Sequence, residues 1–247
     1  SHWDVPIDVN GHMVNFLVSH PTPPVFDGPE DRNGTRNYDE IRFWADYVNG
    51  ADYIYDDAGT TGGWDGDYFV IAGDQNSDPY DGDSIPGSAQ LLLNDPRVNA
   101  TVTPSSLGAV EQSGLQGGIN ESHLSDPAFD TADFNDNPAP GNLRADYVLP
   151  SANLDIADSG VFWPEASDPL FGLVGTWPFP GSDHRLVWVD IEPGSTPLPA
   201  APVRLQILAI NDFHGNIATT SSAFGGVGRA DYLSANMSTA EMQAENS

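Results

Sequence analysis

Ser182-Asp183-His184 stands directly before Arg185-Leu186-Val187-Trp188-Val189-Asp190-Ile191, a run that alternates apolar and polar residues as a half-buried strand does. A hydroxyl, a carboxylate and an imidazole therefore sit at a strand mouth, where they can face a ligand. Three upstream stretches repeat the pattern. Tyr68 to Gly73 delivers Asp74-Gln75-Asn76, Arg144 to Pro150 sets Asp146 inside an apolar run, and Met13 to Ser19 ends at His20 before Pro21, Pro23 and Pro24. Such groups suit proton transfer by a carboxylate-paired imidazole and charge neutralisation by a carboxylate-bound cation. Taken singly, each has a plainer reading: a solvated Asp-His pair in a turn, or a structural turn histidine. Further on, Val203 to Ile210 delivers Asn211-Asp212-Phe213-His214, and Asp212 and His214, two apart at a strand end, face one way and could ligate one metal.

Composition narrows the chemistry. The 247 residues carry 36 acids against eight basic residues, a formal charge of -28, and every basic residue is Arg. Such a surface repels nucleic acid at low salt, which argues against a non-specific DNA binder and suits a metal-dependent site, a salty habitat, or both. With no Cys there are no disulfides or thiolate ligands, so His and carboxylate are the available metal donors. No run of about 18 apolar residues spans a membrane, and Ser1-His2-Trp3-Asp4 lacks a signal peptide's regions and reads as an interior cut. The composition fits a secreted or cell-surface bacterial protein.

These groups need a scaffold, and strands alternating with helices predict an α/β protein. A helix is expected over residues 37–49, with Asn37 as cap, Glu40 completing a capping box, and Ile41, Trp44, Ala45 and Val48 as its apolar face. Tyr68 to Ala72 reads as a strand covered on both faces, and Ala89 to Leu93 as a short helix stopped by Pro96. Arg32 and Arg36, in the polar loop before the helix, are candidates for binding phosphate, or are solvated loop charges. The acids of 78–84 could hold calcium, but they lack the spacing of the about twelve-residue EF-hand loop, which favours a solvated loop. Residues 111–143 read as one long functional or mobile loop. The Pro-rich stretch 192–202 is the best domain boundary, separating residues 1–191 from a short β-α unit over 203–247.

In that order, His20, Gly73-Asp74-Gln75-Asn76, Arg144-Ala145-Asp146-Tyr147 and Ser182-Asp183-His184 resemble the endonuclease/exonuclease/phosphatase superfamily, with Gln75 replacing its usual aromatic or aliphatic residue. The resemblance implies a four-layer α/β/β/α sandwich, here incomplete, with a divalent metal, usually magnesium, at the mouth of the two sheets. It implies His184 as general base or phosphate contact, oriented by Asp146, and Asp183 as metal ligand. Asp74 and Asn76 would position water and phosphoryl oxygens, and His20 would contact the phosphate or assist the leaving group. The family's Asn and metal-binding Glu are expected before Ser1. Ile207 to Asn216 is similar to the opening of 5′-nucleotidase-type calcineurin-like metallophosphoesterases, which implies that Asp212 and His214 belong to a two-metal site.

The leading expectation is a metal-dependent phosphoester hydrolase acting on small or extracellular phosphate esters or nucleotides. The alternatives are a secreted nuclease, for which a basic groove is expected, and a non-enzymatic Asp-rich calcium-binding or adhesive module.

Overall fold

Strand β1 (His2–Val9) turns through Asn10-Gly11 into β2 (His12–Ser19). Both turn residues have positive φ, 53° and 89°, as the tight type I′ hairpin turn requires. The structure, a computed structural model, describes residues 1–137 and 139–193, together with the backbone of strand 205–209.

From β2 the chain crosses through helix α1 (Arg32–Val48) to β3 (Tyr68–Asp74), which lies parallel to β2. Helices α2 (Gln90–Leu93) and α3 (Leu107–Gln116) follow, and then β4 (Asp146–Pro150), antiparallel to β3. The first sheet therefore has the order β1-β2-β3-β4. The second is β5-β6-β7, all antiparallel, from β5 (Leu154–Phe162), β6 (Leu186–Pro193) and β7 (Leu205–Ala209), with helix α4 (Phe171–Val174) between β5 and β6.

Alternation along the central strands sorts their side chains into two cores. Phe69 and Ile71 of β3, with Tyr147 and Leu149 of β4, pack against Ile41, Trp44 and Val48 of α1. Val70, Ala72 and Val148 point the other way, into a core shared with Val161, Val187, Val189 and Ile191 of the second sheet. This is the period-two geometry of a strand covered on both faces. The described layers are thus α1, the first sheet and the second sheet, with α3 and α4 contributing Ala109 and Val174 to the inter-sheet core.

Several expectations shift. Helix α1 begins at Arg32, and Asn37 is no cap: it is fully buried in mid-helix, its Nδ2 donating to Thr22 O and Gln75 O at 3.0 and 2.9 Å. Those two carbonyls engage the Asn37 amide as a donor inside the fold, whereas a cap would accept from free N–H groups at the helix end, and Asp31 in the left-handed region starts the helix. Strand β5 carries a bulge between Ile156 and Asp158. The long loop holds the end of α3 and single 3-10 turns at Gly118–Ser122 and Pro127–Phe129. Glu192 and Pro193 end β6, and β7 hydrogen-bonds alongside β6 in the register Val187↔Ala209 to Ile191↔Leu205. Most of the proposed linker, and Asp212 and His214 with the rest of the second unit, lie outside the described residues.

Candidate active site

Four strand ends meet at one edge of the two sheets. His20 follows the last residue of β2, Asp74 ends β3, Asp146 begins β4, and His184 lies two residues before β6. Parallel pairing of β2 and β3 carries both chains to the same edge, and antiparallel pairing sets Asp146 opposite Asp74. Gly73 makes the close approach possible: at φ 139° its backbone lies so near Ser19 that an added Cβ would sit 2.1 Å from the Ser19 carbonyl oxygen.

The side chains form a continuous line. His20 Nε2 lies 3.2 Å from Asp74 Oδ2, His184 Nε2 lies 3.9 Å from the same oxygen, and His184 Nδ1 lies 2.8 Å from Asp146 Oδ2. Thr131 Oγ1 donates to Asp146 Oδ2 at 2.9 Å and accepts from Ala145 N and Asp146 N. Asp74 and His184 are almost wholly buried, whereas the His20 side chain is 41% exposed and forms the mouth of the site. Phe134 closes it from another side, its ring edge-on to His184 at 5.3 Å.

Electrostatics set the protonation states. Burial alone would push the His184 imidazole down, but Asp146, with Asp74 and Asp183, outweighs it and raises the pKa to about 10. At that value His184 is a cation at neutral pH, so both its ring nitrogens donate. Asp74 is raised, first by burial and then by Asp146, while the hydrogen bond from His20 opposes the shift.

One ligand atom each from Asp74, Asp146 and His184 lies within 4.8 Å of the others. Asp74 Oδ1 is engaged by Asn76 N at 2.7 Å, which leaves Oδ2 as the donor atom facing the histidines. The two buried carboxylates offer the oxygen donors that a small divalent cation of the magnesium kind takes, with the His184 ring held on Asp146 beside them.

The other expected residues fall around this centre. Asn76 adjoins it with φ 50°, but its Nδ2 donates to Pro21 O at 3.1 Å. Asp183 is half-buried beside His184, and its main-chain oxygen accepts from Asp133 N at 2.8 Å. Arg32 and Arg36 lie on the exposed side of α1, their guanidinium groups 3.4 and 3.2 Å from Glu30 and Glu40. The sequence reading overlooked Thr131, Asp133 and Phe134, which lie within the stretch taken as one loop. Its only signal was Asp130-Thr131-Ala132-Asp133-Phe134, a short run of mixed polarity in a Gly- and Asn-rich region.

Among solved structures, the chain is similar to sphingomyelinase C from Streptomyces griseocarneus, at 13% identity and TM-score 0.36, covering 75% of this chain and 52% of that one. It is also similar to beta toxin from Staphylococcus aureus, as a beta-hairpin deletion mutant at 14% identity and TM-score 0.34, covering 60% of this chain and 42% of that one. A second beta toxin, the F277A, P278A mutant with bound magnesium ions, aligns at 13% identity and TM-score 0.35, covering 66% and 50%. The chain thus spans about half the length of these proteins or less. No curated protein matches it. Residues 12–184, which run from the start of β2 through His20, Asp74 and Asp146 to His184 itself, match the Endonuclease/Exonuclease/phosphatase family, and the chain belongs to that family.

Proposed function

We propose that the chain is part of a metal-dependent phosphoester hydrolase acting on small phosphate esters or nucleotides. The observation that carries this reading is the line His20, Asp74, His184, Asp146, in which imidazoles alternate with carboxylates at one sheet edge. Asp146 holds the His184 ring by Nδ1 and keeps it charged, so Nε2–H is presented as a donor toward a phosphoryl oxygen or a departing oxygen. His20, the exposed member, meets an approaching phosphate first. Asp74 would hold a divalent cation, with Asp146 and His184 close by and Asp183, beside His184, as a further carboxylate. When bound there, such a cation would neutralise phosphoryl charge and lower the pKa of an attacking water.

The charge favours small substrates. A DNA backbone would approach a chain of formal charge -28, and Arg32, Arg36 and Arg42 of α1 all have carboxylate partners within 3.6 Å. The test is kcat/KM for a nucleotide and for plasmid DNA with magnesium, from low to high salt. The nucleotide is expected to be preferred at low salt, the gap narrowing as charge is screened. Plasmid cleavage that is fastest at low salt would establish a nuclease instead. Calcium binding by calorimetry, with no hydrolysis under any divalent metal, would establish a binding module.

A further inference from the structure

We propose that Arg185 and Asp133 are positioning residues, a buried clamp that fixes the Ser182-Asp183-His184 turn so that the His184 ring meets Asp146. The proposal deepens the reading of this site as a hydrolase and rests on it.

Backbone hydrogen bonds fix the path of the turn, His184 N donating to Ser182 Oγ at 3.0 Å, and the clamp adds side-chain ties to them. Arg185 is 1% exposed, and its guanidinium lies 4.4 Å over the Trp163 ring and 5.0 Å from the Phe179 ring. Nη1 donates to Ser182 O at 2.8 Å, and Nη2 donates to Asp133 Oδ2 at 2.9 Å. Asp133 is itself fixed, its Oδ1 accepting from Gln116 Nε2 at 2.7 Å. Its backbone N–H then donates to Asp183 O at 2.8 Å, and one residue earlier Ala132 bridges to His184. Arg185 N donates to Thr131 O at 2.7 Å, so the stretch carrying Thr131, which orients Asp146, also carries Asp133, which orients the turn. Phe134, next along, lies against the His184 ring. One short segment thereby sets both halves of the His184–Asp146 hydrogen bond.

Stability alone is a poor account of this arrangement. Taking a guanidinium and a carboxylate out of water costs several kcal/mol per ion, and an apolar pair of similar volume commonly does as well. The planar fork of Arg does what an apolar residue cannot: it ties a carbonyl of the catalytic turn to a carboxylate on another segment. Groups that orient such a histidine act through it, without touching substrate.

The experiment uses Arg185→Gln, Asp133→Asn and the double variant, each first shown to be folded by circular dichroism and a cooperative melt. Asp133→Asn keeps the side-chain shape and serves if Arg185→Gln does not fold. We expect kcat to fall roughly 10- to 100-fold with KM changed little, the double variant losing no more than the worse single one. Independently of activity, the downfield proton NMR signal of the His184 Nδ1–H in metal-free protein should broaden or vanish in the variants. Folded variants that keep that signal and wild-type kcat would reduce the pair to a stabilising contact and overturn the proposal. If the wild-type protein hydrolyses no phosphate ester, the function fails, and the resonance alone decides the clamp: its loss supports it and its persistence overturns it.

Discussion

Replacing Asp146 by Asn tests whether the buried imidazole is a cation, because the change removes a charge while nearly preserving shape. In the native protein the His184 pKa is about 10 against an ordinary 6.5. A histidine whose folded pKa is raised contributes stability that is fully present below pH 6.5 and is lost as pH climbs toward 10. With the charge in place, removing one partner of a buried ion pair costs about 3–5 kcal/mol. Near pH 10 about half of the native histidines have lost their proton. The cost there begins to shrink toward that of a neutral hydrogen bond, about 1 kcal/mol. Asp74 and Asp183 remain in the variant and keep part of the elevation, so the pH dependence is reduced and not erased. The assay is urea unfolding of metal-free native and Asp146→Asn proteins at pH 6 and near pH 10. A destabilisation of the same size at both pH values would show that His184 is not held charged against Asp146.

Asp130 is 2% exposed, and burial, reinforced by Asp78, Asp81 and Asp126, pushes its carboxyl up to about 8. A raised acid favours the folded state at low pH and loses that stability between about pH 4 and pH 8, so Asp130→Asn should raise the melting temperature at pH 8.5. A melting temperature below that of the native protein at pH 8.5 would contradict this. Thr131→Val removes one donor to Asp146 and leaves two backbone N–H groups without their acceptor, which should cost about 1–3 kcal/mol in urea unfolding and lower kcat. An unchanged urea midpoint would show those groups are satisfied elsewhere. Gly73→Ala sets a Cβ against the Ser19 carbonyl at an unfavourable φ, and should cost at least about 1–3 kcal/mol while moving His20 away from Asp74. Wild-type stability and activity in that variant would mean the two strands do not need this approach. Magnesium should raise the native melting temperature, and Asp74→Asn should remove most of that gain, unless the cation binds elsewhere.

The parts of the site that were legible in the sequence are those announced by strand ends. Asp74 and His184 each adjoin a long apolar run, and a strand end fixes both the location and the direction of what it carries. Asp146 was legible because an acid set between Ala145 and the apolar Tyr147-Val148-Leu149 needs a buried partner, which His184 supplies at 2.8 Å. Strand β1 left a readable signal too, in the alternation of Trp3, Val5, Ile7 and Val9 before Asn10-Gly11, though the proline at position 6 speaks against a strand. Its place at the sheet edge is what tolerates that proline. The capping box at Asn37 failed for a different reason: the local pattern was sound, but the helix starts five residues earlier at Arg32, and the carbonyls of Thr22 and Gln75, far off in sequence, hold the Asn37 amide in the core. The segment Thr131 to Phe134 had no periodicity at all. Its contacts are a hydroxyl, a carboxylate and a ring meeting residues 15 to 52 positions away, and only the closing of the two sheets brings them together. The charged residues at the strand ends can thus be read from local pattern, while those that aim them depend on the fold. It is on that second set, Thr131, Asp133 and Arg185, that the orientation of His184 rests.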